Sequence, residues 1–593
     1  MESTATHLPH WNLSVIYSSI NGNDYKKDLK TYETGIDSVK TLLKQPISDK
    51  NFAKTLNLLL THMNKIKALY ASFTSYAYCI YSTDTTNTEY LNNMAFIEEK
   101  GLLLKKVQRG FQQFLTVNSR FLPLFYTSYP QHKKYQFLFD EAIFNQQHKM
   151  DDKEEAIAEE MELYAKTSWS KLQEQIISNL IDAETKKTFN ELRTEAYNKD
   201  RNVRKEAYLK EISLLKNAEI PLACALNNLK GTTIALNKRR KWASALDNSC
   251  FKSRIHKKTL YALIGAIEDS LPMWRDYMHT KASLLGLKEL DFYDLFAPLQ
   301  NKNSTNKIWT FEETRDYIID RYNSFSEDMG KFAQKAFDEN WIDAEIKPGK
   351  VGGAYDTPFP AQGVSRILSN FNGTFNDVMT LAHELGHAYH DYCVKDLPYS
   401  FAEYPMTLAE TASIFAETIV INDIISKTTG FEKIQLIEMH LQDCNQVLVD
   451  ILSRFYFETA VFKEREKGEL SASDFCHLMN EAQEKTYGNG LSKTKHPYQW
   501  ALKSHYYIPD LDFYNYPYAF GQLFAVSLYA HFKKEGPSFA LKYKAILQNT
   551  GSMSCENVCK NAGFDIETKE FWSLGISSFA KEIEELKKYA STI

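Results

Sequence analysis

Five consecutive residues read His383-Glu384-Leu385-Gly386-His387. On an α-helix, positions four apart lie one turn apart and differ by only about 40° around the axis, so two imidazoles so spaced can converge on one ion. Imidazole nitrogens bind Zn2+ at about 2.0–2.1 Å, and a catalytic zinc site adds a third protein ligand and leaves one position for water. Glu384 lies about 100° around the helix from His383. It can reach that water without binding the metal, which suits a general base. With 15 His in 593 residues, the pattern arises by accident on the order of 0.03 times per chain. Two incidental histidines on one helix are therefore a poor account of it. His390, seven residues after His383, is read as a structural histidine satisfied in the core.

The third ligand is open on residue types alone. Glu403, Glu410 and Glu417 follow at intervals of seven. Pro405 makes Glu403 a pre-helical residue. Glu410 lies in Thr407-Leu408-Ala409-Glu410-Thr411-Ala412-Ser413, whose small side chains let one helix approach another, although Thr407 and Glu410 also have capping-box spacing. Glu417, two turns deeper, has the placement of a carboxylate that orients a ligand imidazole.

The elements that must position these groups can be read outward from them. Thr374 and Asp377 have the spacing of a capping box, and Val378, Met379, Ala382 and Leu385 give the following helix an apolar face. Gly386 in mid-helix costs about 1 kcal/mol relative to Ala, which points to close packing. Just upstream, Pro348, Gly349, Gly352, Gly353, Pro358, Pro360, Gly363 and Gly373 break an otherwise helical chain. Within that stretch Ala354-Tyr355 and Ser365-Arg366-Ile367-Leu368 are predicted as short strands, a small sheet walling the site. Elsewhere the chain reads as mainly α. There is no glycine between Gly110 and Gly231 and no proline between Pro130 and Pro221, and apolar residues recur three and four apart.

A second cluster holds Tyr498, His505, Tyr506, Tyr507, Tyr514, Tyr516 and Tyr518. Hydrolysis of a peptide passes through a tetrahedral oxyanion, which a tyrosine O–H or a histidine N–H can stabilise. Most of these tyrosines are read as aromatic core. Gly488-Asn489-Gly490 nearby reads either as a mobile loop or as a plain surface turn.

Composition excludes several classes. Lys+Arg is 70 and Asp+Glu is 75, giving a net charge of -5, which argues against a nucleic-acid partner. The basic run Lys238–Lys241 is an exposed helix end. An apolar share of 44% supplies a large core and excludes bulk disorder. No apolar run is long enough to span a membrane and no signal-peptide pattern opens the sequence. The eight cysteines have no framework spacing, so free thiols in a soluble, cytoplasmic protein are expected.

The motif His383–His387 followed by Ala409-Glu410-Thr411-Ala412-Ser413 resembles the zinc metallopeptidases of the thimet oligopeptidase and oligoendopeptidase F family. Trp11-Asn12-Leu13-Ser14, Gly352-Gly353-Ala354-Tyr355 and Asn370-Phe371-Asn372-Gly373-Thr374 resemble further segments of oligoendopeptidase F proteins. The resemblance covers the chain but is weak before about residue 200. It implies a mainly α, two-lobed helical metallopeptidase with a deep substrate channel, divided into an N-terminal domain, 1–200, and a catalytic domain, 201–593. It implies one Zn2+ per chain on His383, His387 and Glu410, with Glu384 as the base. His505 matches the family's histidine and Tyr518 best matches its transition-state tyrosine. Asn515 stands where thimet-type relatives carry another tyrosine, which leaves Tyr514 as an alternative.

The expected activity is zinc-dependent hydrolysis of internal bonds in short, unstructured peptides, with no nucleic-acid or membrane partner. Gly353, Ala354 and Tyr355, with Tyr514, are expected to touch substrate, the strand by adding the peptide backbone to the sheet. The rivals are a zinc carboxypeptidase, for which the sequence identifies no carboxylate-binding cation, and an inactive peptide-binding protein, which would not need Glu384.

Overall fold

The computed structural model describes residues 8–299 and 307–592. The chain is mainly helical, with one three-stranded sheet among the described residues. It forms two compact units. One gathers the chain up to Gln147, the stretch ending at Asp423, and His531–Gly563. The other gathers the stretch from His148, Ile424–Ala530, and the chain from Phe564 on. Each unit is thus assembled from three separate stretches, where the sequence reading divides the chain once, at residue 200. Among the described residues no helix is long and apolar enough to cross a membrane.

In the first unit, the long helices Asn23–Leu43, Phe52–Thr83 and Thr88–Val117 pack on one another. Their core is aromatic: Tyr17, Tyr25, Tyr32, Phe73 and Tyr76 are buried. The Tyr17 ring meets Tyr25 and Tyr76 edge-on, with centroids 5.1 and 5.2 Å apart, the arrangement that opposed ring quadrupoles favour.

The sheet belongs to the same unit. Strand β1 is Ile342–Asp343, β2 is Tyr355–Phe359 and β3 is Val364–Leu368, in the order β1-β3-β2. β3 runs parallel to β1 and antiparallel to β2. Gly363, at φ +68°, donates its N–H to Phe359 O at 2.8 Å and closes the hairpin. β2 starts at Tyr355 and runs on through Pro358, further than the expected Ala354-Tyr355. A proline is tolerated there because β2 is an edge strand. β1, two residues long, carries no periodic signal. The helix Phe375–Val394 packs against both β2 and β3.

In the second unit, the helices Lys257–Leu284 and Lys569–Ala590 form the most extensive helix pair. Phe457, Phe475, Trp500, Tyr506 and Tyr507 share one buried cluster. The turn Gly488–Gly490 is packed. Arg275 donates to the carbonyls of Lys485 and Thr486 at the end of the preceding helix, and His279 Nε2 lies 2.7 Å from Asn489 O. Arg240, in the basic run, is paired with Glu155 and Glu162.

Candidate metal centre

The helix Phe375–Val394 begins as its sequence predicts. Thr374 Oγ1 accepts from Asp377 N at 3.2 Å, and the Asp377 carboxylate accepts from Thr374 N at 2.9 Å. Val378, Leu381, Ala382 and Leu385 are fully buried, and Tyr322 donates its hydroxyl to Ala382 O at 2.6 Å. Gly386 faces the helix Thr411–Lys427. A Cβ there would lie 2.6 Å from Ser413 Cα and 2.7 Å from Ala412 O, which is closer than side chains allow.

That close approach delivers Glu410. The residue sits at the break between the short helix Met406–Ala409 and Thr411–Lys427. Its Oε2 accepts from Ser413 Oγ at 2.8 Å, so the break, not a capping box with Thr407, directs the carboxylate. Glu403 is turned away and pairs with Lys67.

Three donor atoms converge. His383 Nε2 and His387 Nε2 lie 3.1 Å apart, and Glu410 Oε2 lies 3.4 and 3.3 Å from them. Ligands about 2.0–2.1 Å from a tetrahedral ion are about 3.3–3.4 Å from each other. The triangle therefore matches one face of a zinc tetrahedron. The donor set of two imidazoles and one carboxylate is also one that zinc takes at catalytic sites. Among the described residues His383, His387 and Glu410 are the only group found with metal-ligand spacing. Glu417 accepts from His383 Nδ1, which leaves the Nε2 lone pair directed at the centre.

The local field favours a cation. Burial lowers the affinity of His383 for a proton, but Glu417, Glu410 and Glu384 outweigh it and hold the group at about 9. Burial raises Glu410, yet His387, His383 and Ser413 bring it down to about 2. Glu384 is 8% exposed. Burial first, and then the Glu410 charge, push its carboxyl above the ordinary value, against the pull of the two imidazoles. The backbone N–H of Asp356 faces this carboxylate and lowers it slightly against burial. Sequence reasoning missed that contact, because it comes from the backbone of β2. It also missed the half-buried pair Asp356 and Asp391, both raised by desolvation, with Ser365 Oγ donating to Asp391 at 3.3 Å. His390 is buried and structural: its Nε2 is 2.8 Å from Thr550 Oγ1, and its ring stacks on Tyr404.

The expected strand residues are placed more variously. Asn370 Nδ2 donates to Gly353 O at 2.8 Å, and Gly353 and Ala354 precede β2. The Tyr355 side chain is committed to packing, with its hydroxyl 2.6 Å from Ser82 Oγ and its ring against Tyr78. On β2, Asp356 N–H and Pro358 O both turn away from β3, the latter to Ser75 Oγ at 2.7 Å.

In the second unit Tyr506, Tyr507 and Tyr516 are each 1% exposed and belong to the core. Tyr514 and Tyr518 alone of the cluster's later tyrosines are half-buried. Tyr518 donates its hydroxyl to that of Tyr514 at 2.9 Å. The half-buried His505 ring lies 5.0 Å from Tyr514 and 6.0 Å from Tyr518, nearly parallel to the latter.

Residues 194–577 match the profile of peptidase family M3. The chromosomal oligoendopeptidase F of Lactococcus lactis subsp. cremoris is 28% identical over 59% of this chain. The chain spans 58% of that relative's length, and 52% of the oligopeptidase PepF of Bacillus subtilis. An oligoendopeptidase F homolog of Borreliella burgdorferi is 25% identical over 98% of both chains. A solved structure from Chlamydophila abortus has a TM-score of 0.83 at 22% identity over 98% of each chain. The oligoendopeptidase F structure from Enterococcus faecium has a TM-score of 0.69 at 17% identity, over 96% of this chain and 99% of that one. Both structures share the fold.

Proposed function

We propose, from the premise that this chain belongs to peptidase family M3, that it is a zinc-dependent endopeptidase hydrolysing internal bonds of short, unstructured oligopeptides. The observation that carries this reading is the triangle of donor atoms on His383, His387 and Glu410, with the Glu384 carboxylate beside it on the same helix. The names of the relatives support oligopeptide substrates. Zinc, when bound, supplies a Lewis acid that polarises a carbonyl and lowers the pKa of water.

The remaining chemistry falls to the chain. Glu384 takes a proton from the attacking water and returns it to the leaving nitrogen. Its raised proton affinity brings it nearer to the value that serves both transfers. Glu417 fixes the His383 tautomer, and Ser413 fixes Glu410. The Tyr518–Tyr514 pair stabilises the developing oxyanion. With Tyr518 donating to Tyr514, the Tyr514 O–H can donate to a third group. The chain at Gly353, Ala354 and Tyr355, leading into the edge strand β2, takes the peptide backbone as an added strand. The eight cysteines, whose spacing forms no framework, fit a reducing compartment, the cytoplasm.

The test is metal analysis of the purified protein together with cleavage of an internally quenched peptide blocked at both ends. About one zinc per chain, with cleavage at an internal bond that stops on chelation and returns with zinc, is expected. Cleavage only of peptides with a free C-terminus would make the enzyme a carboxypeptidase. Zinc binding without any turnover would make it a binding protein.

A further inference from the structure

His505 is held by a chain of partners whose chemistry leaves little choice. Asp450 accepts from Arg454, four residues on, with Nε 2.8 Å from Asp450 Oδ2 and Nη2 reaching the same oxygen. Tyr487 donates to the other oxygen at 3.3 Å. All three residues are buried. Arg454 then directs Nη1 to Asn515 Oδ1 at 3.0 Å, and His505 Nδ1 lies 2.8 Å from that same oxygen. Asn515 is 2% exposed.

The orientation of the Asn515 amide follows from the guanidinium, which has donors only. Turning the amide round would set its NH2 against Arg454 at 3.0 Å, donor to donor beside a positive charge. So Oδ1 is the atom that faces both neighbours. An amide oxygen accepts and does not donate, so the 2.8 Å contact requires a proton on His505 Nδ1. Arg454 Nη1 also comes within 3.4 Å of Nδ1. That contact would need a lone pair there, which would then face the Asn515 lone pairs at 2.8 Å. The shorter contact decides. A neutral imidazole has one N–H, so Nε2 carries the lone pair. Burial, with the charges of Arg454 and Lys503, lowers the proton affinity of His505 against the contrary effect of Asn515 and Asp450, and keeps the ring neutral.

We infer that Asn515, clamped by Arg454 and Asp450, is a positioning residue that holds His505 as the Nδ1–H tautomer, so that His505 Nε2 accepts a backbone N–H of the peptide substrate and does not donate to the oxyanion. The substrate half of this inference rests on the peptidase reading above. The tautomer half does not. It reassigns a residue that sequence reasoning had as an oxyanion donor, and it gives the oxyanion to the metal and the tyrosine pair.

The experiment uses full-length, zinc-loaded protein with 15N-labelled histidine, the His505 signals being assigned by their loss in His505→Gln. Long-range 1H–15N correlation at neutral pH distinguishes the two tautomers directly. The expected result is a protonated Nδ1 and a bare Nε2 in the parent. Asn515→Val should move the population towards Nε2–H, and Asn515→Asp, which keeps the acceptor, should not. Unchanged signals from the other histidines show that the fold is intact.

In kinetics on blocked peptides, N-methylation of the amide that meets His505 should lower kcat/KM about 10-fold for the parent, the worth of one hydrogen bond of about 1.4 kcal/mol. It should have no such effect on His505→Phe. A parent His505 carrying its proton on Nε2, or a tautomer indifferent to Asn515→Val, overturns the positioning role. A scan of singly N-methylated peptides in which no position separates parent from His505→Phe overturns the acceptor role. A protein that shows the Nδ1–H tautomer yet cleaves no peptide would refute the peptidase reading instead.

Discussion

Gly386→Ala tests the packing that builds the metal centre. The added Cβ would lie 2.6 Å from Ser413 Cα, 2.7 Å from Ala412 O and 3.0 Å from Ala412 C. Carbon atoms rest at about 3.5–4.0 Å, so the two helices must open by roughly 1 Å. All three atoms are backbone, and none can rotate away. Alanine is the better helix former by about 1 kcal/mol, while overpacking costs about 1–3 kcal/mol. With backbone on the opposing side the cost belongs at the upper end, and a net loss of about 1–2 kcal/mol is expected.

The effect on the metal should exceed the effect on the fold. Ligand distances tolerate only about ±0.2 Å. Glu410 begins the segment that must move, while His383 and His387 lie on the helix it moves away from. Zinc affinity should fall about 10–100-fold, the loss found when the support of a ligand is disturbed. Competition against a chromogenic chelator measures the affinity, and thermal unfolding of the metal-free protein measures the packing term. Gly468 is exposed, and no atom lies within 4 Å of the position a Cβ would take there. It supplies the control Gly468→Ala, which should leave both unchanged. A Gly386→Ala protein that binds zinc as tightly as the parent and unfolds at the same temperature refutes the reasoning.

Glu384→Gln should keep zinc and lose turnover, because the base is not a ligand; peptide cleavage at near the parent rate sinks the mechanism. Glu410→Ala should lose zinc on dialysis against a weak chelator, Glu417→Gln should lose affinity by about 10–100-fold, and Glu403→Ala should retain the metal. Retention by Glu410→Ala would remove it from the ligand set. Tyr518→Phe should lower kcat by about 10²–10³ with a much smaller change in KM; Tyr514→Phe with unchanged kcat would show that Tyr518 acts alone, and comparable losses in both that the pair acts as a unit. Burial, with the nearby His387, holds His390 down at about 3, so the unfolded chain takes up a proton near 6.5 that the folded chain refuses. Stability should therefore decline as pH falls below about 6.5, by about 1.4 kcal/mol per unit from this group. His390→Gln should flatten that decline in urea midpoints between about pH 7 and 5, and an unaltered slope would count against it.

The sequence made the His383 helix legible down to its cap, because Thr374, Asp377 and the apolar residues all act within a turn or two of themselves. Gly386 likewise declared a close approach, since a mid-helix glycine is unfavourable unless something fills the space. The partner at that approach was legible only as a cluster of small residues, and residue types alone left Glu403, Glu410 and Glu417 in competition. The deciding feature is a helix break at Glu410, and no periodicity records a break of one residue. Asp356 was invisible for a different reason. It reaches Glu384 through its backbone N–H, which every residue but proline possesses. The tyrosines divide by burial, and composition cannot say which two of a crowded aromatic cluster keep a hydroxyl within reach of solvent.

The two histidines His383 and His505 show how the partner's charge decides what an imidazole can do. Both have an acceptor at Nδ1, which holds that nitrogen's proton and turns Nε2 to the opposite side of the ring. The partner of His383 is a carboxylate, Glu417. Against burial, its negative charge and those of Glu410 and Glu384 raise the proton affinity of the ring to about 9, so Nε2 favours a cation. The partner of His505 is a neutral amide backed by a guanidinium. Burial and that positive charge lower the ring's proton affinity, so Nε2 stays neutral and weakly basic, suited to accept an N–H and unsuited to bind a proton or a metal. Exchanging the partner's charge should therefore exchange the behaviour. Asn515→Asp should raise the pKa of His505 while leaving its tautomer, and Glu417→Gln should lower that of His383 in the metal-free protein, both read from 15N shifts across a pH series. Shifts in the opposite directions would mean that burial, and not the partner, governs these rings.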